Sequence, residues 1–372
     1  MEAPLGEMAS VEFSPLVEDG MVAKLVPKIK KAAGLLLEAR RSRRFVLLRF
    51  HHDADGISGA FALSEATRIS AYQQNSAVYS VKDAIRDLST VSHEEKPLVM
   101  LLDFGMNRES EEGLRLLKAA GAEIAIIDHH PPSGEAMKIA DFFLTPWEFS
   151  EGEGASRYVA GYLASEVARA CGVDAEGYAR IACAGDKSSL LEPDDEDKKK
   201  ALVLDYLAAH SGFGNNLKFY RNVLGNAELF ASLYAQANEK IDEAADKAMK
   251  GMKERKAGAV SVCAIDLEKV VKKGEFPNCS KVTTRVFDRL EGKAAGPLLV
   301  LGIGERTIIM RLNQAAADEG LSADTIAKKM QETMRDFVES GGGHAKAGAI
   351  RVKEGFAGAV AEEIARMLAA RA

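Results

Sequence analysis

Four apolar segments of this chain each run into carboxylate or imidazole side chains. Residues 45–50 lead into His51-His52-Asp53-Ala54-Asp55-Gly56, residues 98–102 into Asp103, residues 124–127 into Asp128-His129-His130, and residues 181–185 into Asp186. An open α/β sheet delivers its ligands in this way to one edge, outside the carboxyl ends of its strands. Carboxylates and imidazoles converging there suit two divalent metals, and two metals a few ångströms apart suit hydrolysis of phosphoesters.

The rest of the pattern fits that constraint. A length of 372 residues predicts two or three domains. Residues 1–21 read as an N-terminal arm. Residues 22–42 read as an amphipathic helix with a basic face. Strands are predicted at 45–50, 77–81, 98–102, 123–127 and 140–144, and helices at 57–71, 108–120, 155–171 and 174–183. Such alternation implies a largely parallel sheet covered on both faces, assigned here to a catalytic domain over 22–191. The charged stretch 192–200 opens a helical connector over 192–256, broken at 211–216 by Ser-Gly-Phe-Gly-Asn-Asn. A second, smaller α/β domain over 257–372 carries predicted strands at 259–265, 297–303, 307–312 and 347–352. Its predicted helices are 280–290, 322–338 and 356–370, and a glycine cluster at 341–343 lies between a helix and a strand.

Composition narrows the chemistry. The apolar fraction of 47% fills real cores. The four cysteines show no CxxC spacing, which argues against a zinc knuckle or a disulfide scaffold and for a reducing cytoplasm. No apolar run reaches the ~20 residues of a membrane span, and Glu2, Glu7 and Glu12 do not make a basic signal peptide. A net charge of −6 argues against broad adhesion to nucleic acid, though not against a local basic groove. The basic stretch Lys28 to Arg44 is better read as a solvated helix face than as a nucleic-acid contact, and Tyr158 and Tyr162 as core. Trp147 either covers the sheet edge or stacks a base.

Two carboxylates and an imidazole as close as His51, Asp53 and Asp55 repel or desolvate badly unless a cation compensates them. The bland alternative for this segment is an acidic loop with helix-capping aspartates. Mixed nitrogen and oxygen donors suit manganese or a similar first-row ion better than calcium. Asp103 and Asp186 are each weak signals alone. Adjacent histidines after a buried strand are stronger, and the four segments in order are stronger still. In the second domain, glycines at 341–343 let backbone N–H groups approach a phosphate. His344 and Lys346 add charge, and Arg311 in an apolar strand presents a fork for phosphate. A flexible connector is the alternative there, and Arg306 reads as a turn residue.

His-x-Asp-x-Asp-Gly, an Asp at a strand end, Asp-His-His and a later Asp resemble the DHH phosphoesterases. Gly341-Gly342-Gly343-His344-Ala345-Lys346-Ala347-Gly348 is similar to the glycine-rich signature of their DHHA1 substrate domain, so the resemblance covers nearly the whole chain. Within that family the first motif looks most like the RecJ-like nucleases of the archaeal type. The resemblance implies a mostly parallel-sheet DHH domain, a helical connector, and a smaller α/β DHHA1 domain, with the active site in the interdomain cleft. It implies metal ligands His51, Asp53, Asp55, Asp103, His129 and Asp186. Asp103 would bridge two Mn²⁺ ions (Mg²⁺ the alternative), with Asp53 on one metal and Asp55, His129 and Asp186 on the other. His130 would face the scissile phosphate, Asp128 would orient a histidine, and His52 would be a bystander. Arg311, Gly342, Gly343, His344 and Lys346 would bind substrate.

The reaction implied is metal-dependent phosphodiester hydrolysis, first as a single-strand DNA or RNA exonuclease. Phosphodiesterases of short oligonucleotides, cyclic dinucleotides or nucleotides are the second reading. A replication-complex subunit with a GINS-type or other replication or repair partner is the third. No membrane partner is expected.

Overall fold

The computed structural model describes residues 13–76, 78–210, 217–272, 274–343 and 345–370. The predicted break at 211–216, most of the N-terminal arm and His344 lie outside the described residues. The chain divides into two compact units, residues 1–230 and 231–372.

The first unit opens with α1 (Gly20–Ser42), capped by the Asp19 carboxylate on the Met21 and Val22 N–H groups. Its Leu25, Ile29 and Leu36 are fully buried along one stripe. There follow β1 (Val46–His51), α2 (Ala54–Ala66), β2 (Ser70–Gln74), α3 (Val81–Val91), β3 (Leu98–Leu102), α4 (Arg108–Ala119), β4 (Glu123–Ile127), α5 (Gly134–Ile139) and β5 (Phe142–Leu144). The strands pair in parallel in the order β2-β1-β3-β4-β5. On one face Leu47, Val99, Leu101, Ile124 and Ile126 pack with Ala84 of α3 and with Leu114 and Leu117 of α4. After β5 come α6 (Glu153–Ser156), α7 (Ala160–Ala170), α8 (Glu176–Asp186), α9 (Asp195–His210) and α10 (Leu217–Leu224). Helix α2 packs on β1 and β3 and against α7, α8 and α9. A sheet buried on both faces explains why its strands read as continuous apolar runs rather than alternating ones.

Three expectations change here. The second strand is Ser70–Gln74 rather than 77–81; Val78 makes an isolated bridge to Gly105. This edge strand is polar and half-exposed, with Tyr72 open to solvent, so its hydrophobic signal is weak. The helix expected over 155–171 is interrupted at 157–159, which frees the N-terminus of α7. The apolar run before Asp186 belongs to α8, so Asp186 ends a helix and not a strand.

In the second unit α11 (Ala227–Lys250), which crosses the division, precedes β6 (Lys253–Ala257), β7 (Val260–Asp266), α12 (Cys279–Glu291), β8 (Leu298–Ile303), β9 (Thr307–Leu312), α13 (Gln314–Asp318), α14 (Ala323–Thr333), β10 (Val338–Gly343), β11 (Ala347–Val352) and α15 (Ala357–Ala369). The sheet runs β10-β11-β9-β8-β7-β6, with β7 and β8 parallel and the other neighbours antiparallel. Leu299, Leu301 and Met310 meet α14 and α15 on one face. Cys263 and Val300 meet Val282 and Val286 of α12 and Ala244 and Ala248 of α11 on the other. The helical section thus ends at Lys250, not at 256, and the charged Lys253–Ala257 is an edge strand. Likewise the helix expected to reach 338 stops at Thr333, and the glycine cluster forms β10, hydrogen-bonded to β11, instead of a connector. Among the described residues no helix is long and apolar enough to cross a membrane.

Candidate metal centre

In the order β2-β1-β3-β4-β5 the chain reverses direction across the sheet between β1 and β3. A crevice opens at such a switch point, outside the carboxyl ends of the strands. His51 is the last residue of β1, Asp103 follows β3 and Asp128 follows β4. His51, Asp53, Asp55, Asp103, Asp128, His129, His130 and Asp186 all belong to this one unit.

The side chains form overlapping donor groups. His51, Asp53 and Asp103 present one ligand atom each within 4.8 Å of one another, and so do Asp55, His129 and Asp186. A third group, Asp103, His129 and His130, shares members with both. His51 Nδ1 lies 2.7 Å from Asp53 Oδ2 and 3.4 Å from Asp103 Oδ2. His129 Nε2 lies 3.3 Å from Asp186 Oδ2, 3.5 Å from Asp103 Oδ1 and 3.8 Å from Asp55 Oδ2. Asp103 therefore stands between the two sets, one oxygen toward each.

Local structure fixes each donor. Asp53 caps α2, its Oδ1 accepting from the Gly56 N–H at 3.0 Å, which leaves Oδ2 toward His51. A Cβ at Gly56 would overlap the His51 carbonyl, so the turn from β1 into α2 closes only around glycine. Asp55 is fully buried at the start of α7, accepting from the Ala160 N–H at 3.0 Å and the Gly161 N–H at 2.7 Å. A helix N-terminus favours a carboxylate there. A Cβ at Gly161 would sit 2.7 Å from Asp55 Oδ1, and one at Gly185 2.8 Å from the Ala54 Cβ, so α7 and α8 approach this loop through glycines. Asp103 takes a left-handed backbone, φ 66°, which costs roughly 1–2 kcal/mol in a non-glycine residue. Its N–H still bonds to the Ile127 carbonyl at 3.0 Å. His129 donates from Nδ1 to the Ser156 carbonyl at 2.8 Å, which leaves Nε2 as the lone-pair nitrogen. His130 Nδ1 bonds Asp128 Oδ1 at 2.8 Å, and the same oxygen accepts the His130 N–H at 3.1 Å. Trp147 donates from Nε1 to the His129 carbonyl at 2.7 Å, so it braces the histidine pair.

The electrostatics are those of a charge cluster that needs a counter-ion. Burial, with the Asp103 and Asp186 carboxylates adding to it, holds the Asp55 carboxyl well above the usual range. Burial pushes Asp186 up to about 6, with His129 offsetting part of the effect. Burial opposes charge on Asp103 too, but the His129, His51 and His130 rings around it outweigh burial and hold that carboxyl well below the usual range. The reverse occurs at His51 and His129. Burial works to lower both rings, yet Asp53 and Asp103 around His51, and Asp103, Asp186 and Asp55 around His129, raise them well above the ordinary imidazole value. Protons on these rings and a divalent cation compete for the same lone pairs.

The residues fit such a cation. Both carboxylate oxygens of Asp103 and Nε2 of His129 are buried without a hydrogen-bond partner. Buried orphans of this kind are costly unless something else satisfies them. The four carboxylates of Asp53, Asp55, Asp103 and Asp186 match the charge of two divalent ions, and the mixed nitrogen and oxygen set is one a first-row metal accepts.

The second unit places the other sequence candidates. Arg311 uses its donors internally, on Ser280 Oγ at 3.0 Å, Thr284 Oγ1 at 3.1 Å and the Met310 carbonyl at 2.8 Å. Burial lowers its pKa. Lys346 Nζ bonds Gln314 Oε1 at 3.1 Å. Gly343 has φ 152°, and a Cβ there would overlap the Ala347 carbonyl, so strand pairing itself demands glycine. Gly342 is less constrained, with Asp324 Oδ1 4.0 Å from a Cβ built on it. Arg306, in the β8–β9 turn, pairs with Glu339 at 2.8 Å. Tyr158 and Tyr162 are fully buried.

Sequence reasoning missed Ser156, Gly161 and the bracing role of Trp147. Ser156 acts through its carbonyl and Gly161 through its N–H, groups that every residue of these types carries on its backbone, so no side-chain pattern marks them. The one sequence signal for Gly161 is a glycine in the first turn of an otherwise apolar helix.

Known proteins are similar to this chain in sequence and fold. Residues 45–185 match the DHH family, N-terminal domain. An uncharacterized protein of Methanocaldococcus jannaschii is 23% identical over 410 residues, covering 92% of this chain and 54% of its own length. The chain thus spans about half the length of that relative. The structure of a DHH domain from a member of a family of ribosomal proteins is 26% identical, with a TM-score of 0.78 over 96% of this chain and 93% of that one. RecJ of Thermus thermophilus, crystallised with Mn²⁺, is 16% identical, with a TM-score of 0.56 over 93% of this chain and 55% of RecJ.

Proposed function

We propose that this chain, whose residues 45–185 match the DHH family and whose fold is similar to that of RecJ, is a metal-dependent phosphodiesterase, acting as an exonuclease on single-stranded DNA or RNA. The observation that carries the reading is the pair of orphaned Asp103 oxygens between two donor sets. His51, Asp53 and Asp103 would hold one divalent ion, and Asp103, Asp55, His129 and Asp186 the other. Manganese is the favoured ion, on the donor chemistry. Two such ions supply Lewis acidity toward phosphoryl oxygens and acidify water at the site.

The chain's own groups do the rest. Asp103 couples the two donor sets, so its strained backbone sets their spacing. Asp128 fixes the His130 ring through Nδ1 and raises its pKa against the effect of burial. The carboxylate thereby favours a proton on the ring, and we assign the ring to the phosphate, where it steadies developing charge and protonates the departing oxygen. In the second unit Gly342, Gly343, His344 and Lys346 are assigned to strand binding, as the glycine-rich motif suggests, and Arg311 as a phosphate fork steadied by Ser280 and Thr284.

End-labelled single-stranded DNA and RNA of graded length, with Mn²⁺ or Mg²⁺, test the reading. Stepwise shortening of long strands supports an exonuclease. Cleavage confined to di- to tetranucleotides would move the substrate to short oligonucleotides. No cleavage of any length with either metal would overturn the proposal.

A further inference from the structure

Asp53 and Asp55 flank Ala54, whose side chain is fully buried and whose N–H opens α2. The first N–H groups of a helix have no partner within it. Asp53 satisfies one of them, that of Gly56, and its other oxygen faces His51. The Ala54 N–H is taken instead by Asp205 Oδ1 at 2.8 Å, from α9, 151 residues further along the chain. Helix α9 lies outside the stretch that matches the family and packs against α2 and α8, the helices that carry Asp55 and Asp186. Among the described residues Asp205 joins none of the three donor groups.

We propose that Asp205 is a positioning residue for the metal centre: its hydrogen bond to Ala54 fixes the peptide between the two carboxylates that serve different ions. The inference rests on the two-metal reading. A hydrogen-bonded loop holds Asp53 and Asp55 at one mutual angle. With the Ala54 N–H buried and unpaired, the loop would rotate to find another acceptor, and both carboxylates would turn with it. The negative charge of Asp205 also suits the N-terminus of α2.

The test is calorimetric titration of the metal-stripped 372-residue chain with Mn²⁺, comparing wild type, Asp205→Asn and Asp205→Leu. Asn keeps an acceptor oxygen for the Ala54 N–H, whereas Leu has the volume and no acceptor. Asp205→Leu is expected to lose about 10–100-fold in Mn²⁺ affinity, the usual effect of removing a group that orients a ligand, and Asp205→Asn to stay near wild type. Should Asp205→Leu not fold, Asp205→Ala takes its place with the same expectation. Wild-type affinity in the Leu or Ala variant would overturn the inference alone. Equal losses in Asn and Leu would overturn it in favour of a purely electrostatic role. A wild-type chain that takes up no Mn²⁺ would overturn the two-metal reading, and this inference with it.

Discussion

His129 donates from Nδ1 to the carbonyl of Ser156 at 2.8 Å, and that bond decides which nitrogen of the ring is left for a cation. The neighbouring His130 has its Nδ1 committed to Asp128 and is far more exposed, 40% of its side chain against 9% for His129. The two histidines of one motif are therefore expected to separate. His129→Ala should lower Mn²⁺ affinity by more than the roughly 10–100-fold typical of losing a residue that only orients a ligand. His130→Ala should keep the metal and lose turnover. Calorimetry and single-turnover hydrolysis on both variants check this, and the opposite pattern would exchange the roles.

Asp103 should be the most damaging single carboxylate to lose. Its side chain faces both donor sets, and its backbone φ of 66° costs the fold something wherever no ligand offsets it. Asp103→Ala is expected to fold and to lose at least ~10³-fold in rate, on the scale of removing a central electrostatic element. A folded variant with near-normal turnover would refute the shared-ligand assignment.

The metal-free chain should grow less stable as pH rises above the ordinary imidazole value of 6.5. The raised pKa values of His51 and His129 mean that their folded-state protonation stabilises below the ordinary imidazole value of 6.5 and is lost as pH rises through the folded values. Asp186 and Asp55, whose carboxyls are raised, act in the same direction but earlier, Asp186 between the ordinary 3.8 and its folded value of about 6, because ionising them costs more in the folded state. Mn²⁺ displaces those protons, so its apparent affinity should rise over the same window. Melting curves at several pH values, with chelator and with Mn²⁺, are expected to diverge upward in pH. Parallel curves would contradict the pairing of rings and carboxylates described above.

Gly161→Ala probes how tightly α7 sits on Asp55. The added Cβ would lie 2.6 Å from the Asp55 carbonyl oxygen and from the Ala182 Cβ. Overpacking of this kind costs about 1–3 kcal/mol, and here it would also shift the N–H groups that hold the carboxylate. The expected result is a lower melting temperature together with weakened Mn²⁺ binding. Loss of stability with unchanged metal affinity would show that the α7 terminus does not set the position of Asp55.

Much of this site was legible in the sequence because buried parallel strands announce themselves. Leu98–Leu102 and Glu123–Ile127 fall where their apolar runs put them, and the polar residues after them land at the switch point. What stayed hidden has physical reasons. The edge strand Ser70–Gln74 carries polar side chains, since one side of it faces no neighbour. Lys253–Ala257 is a charged edge, a common way of discouraging unwanted pairing, and reads as a helix end. Gly341 to Gly343 occupy a strand despite glycine's poor strand propensity, because β10 needs backbone free of side chains against β11 and α14. Asp186 reached the site from a helix terminus, a placement that an apolar run alone does not distinguish from a strand end.

The most direct test is the hydrolysis of an end-labelled single strand by metal-stripped protein to which Mn²⁺ is returned. No cleavage is expected under chelator, with recovery as Mn²⁺ fills the site and none in Asp103→Ala. Hydrolysis that persists undiminished after exhaustive metal removal would contradict the two-metal reading.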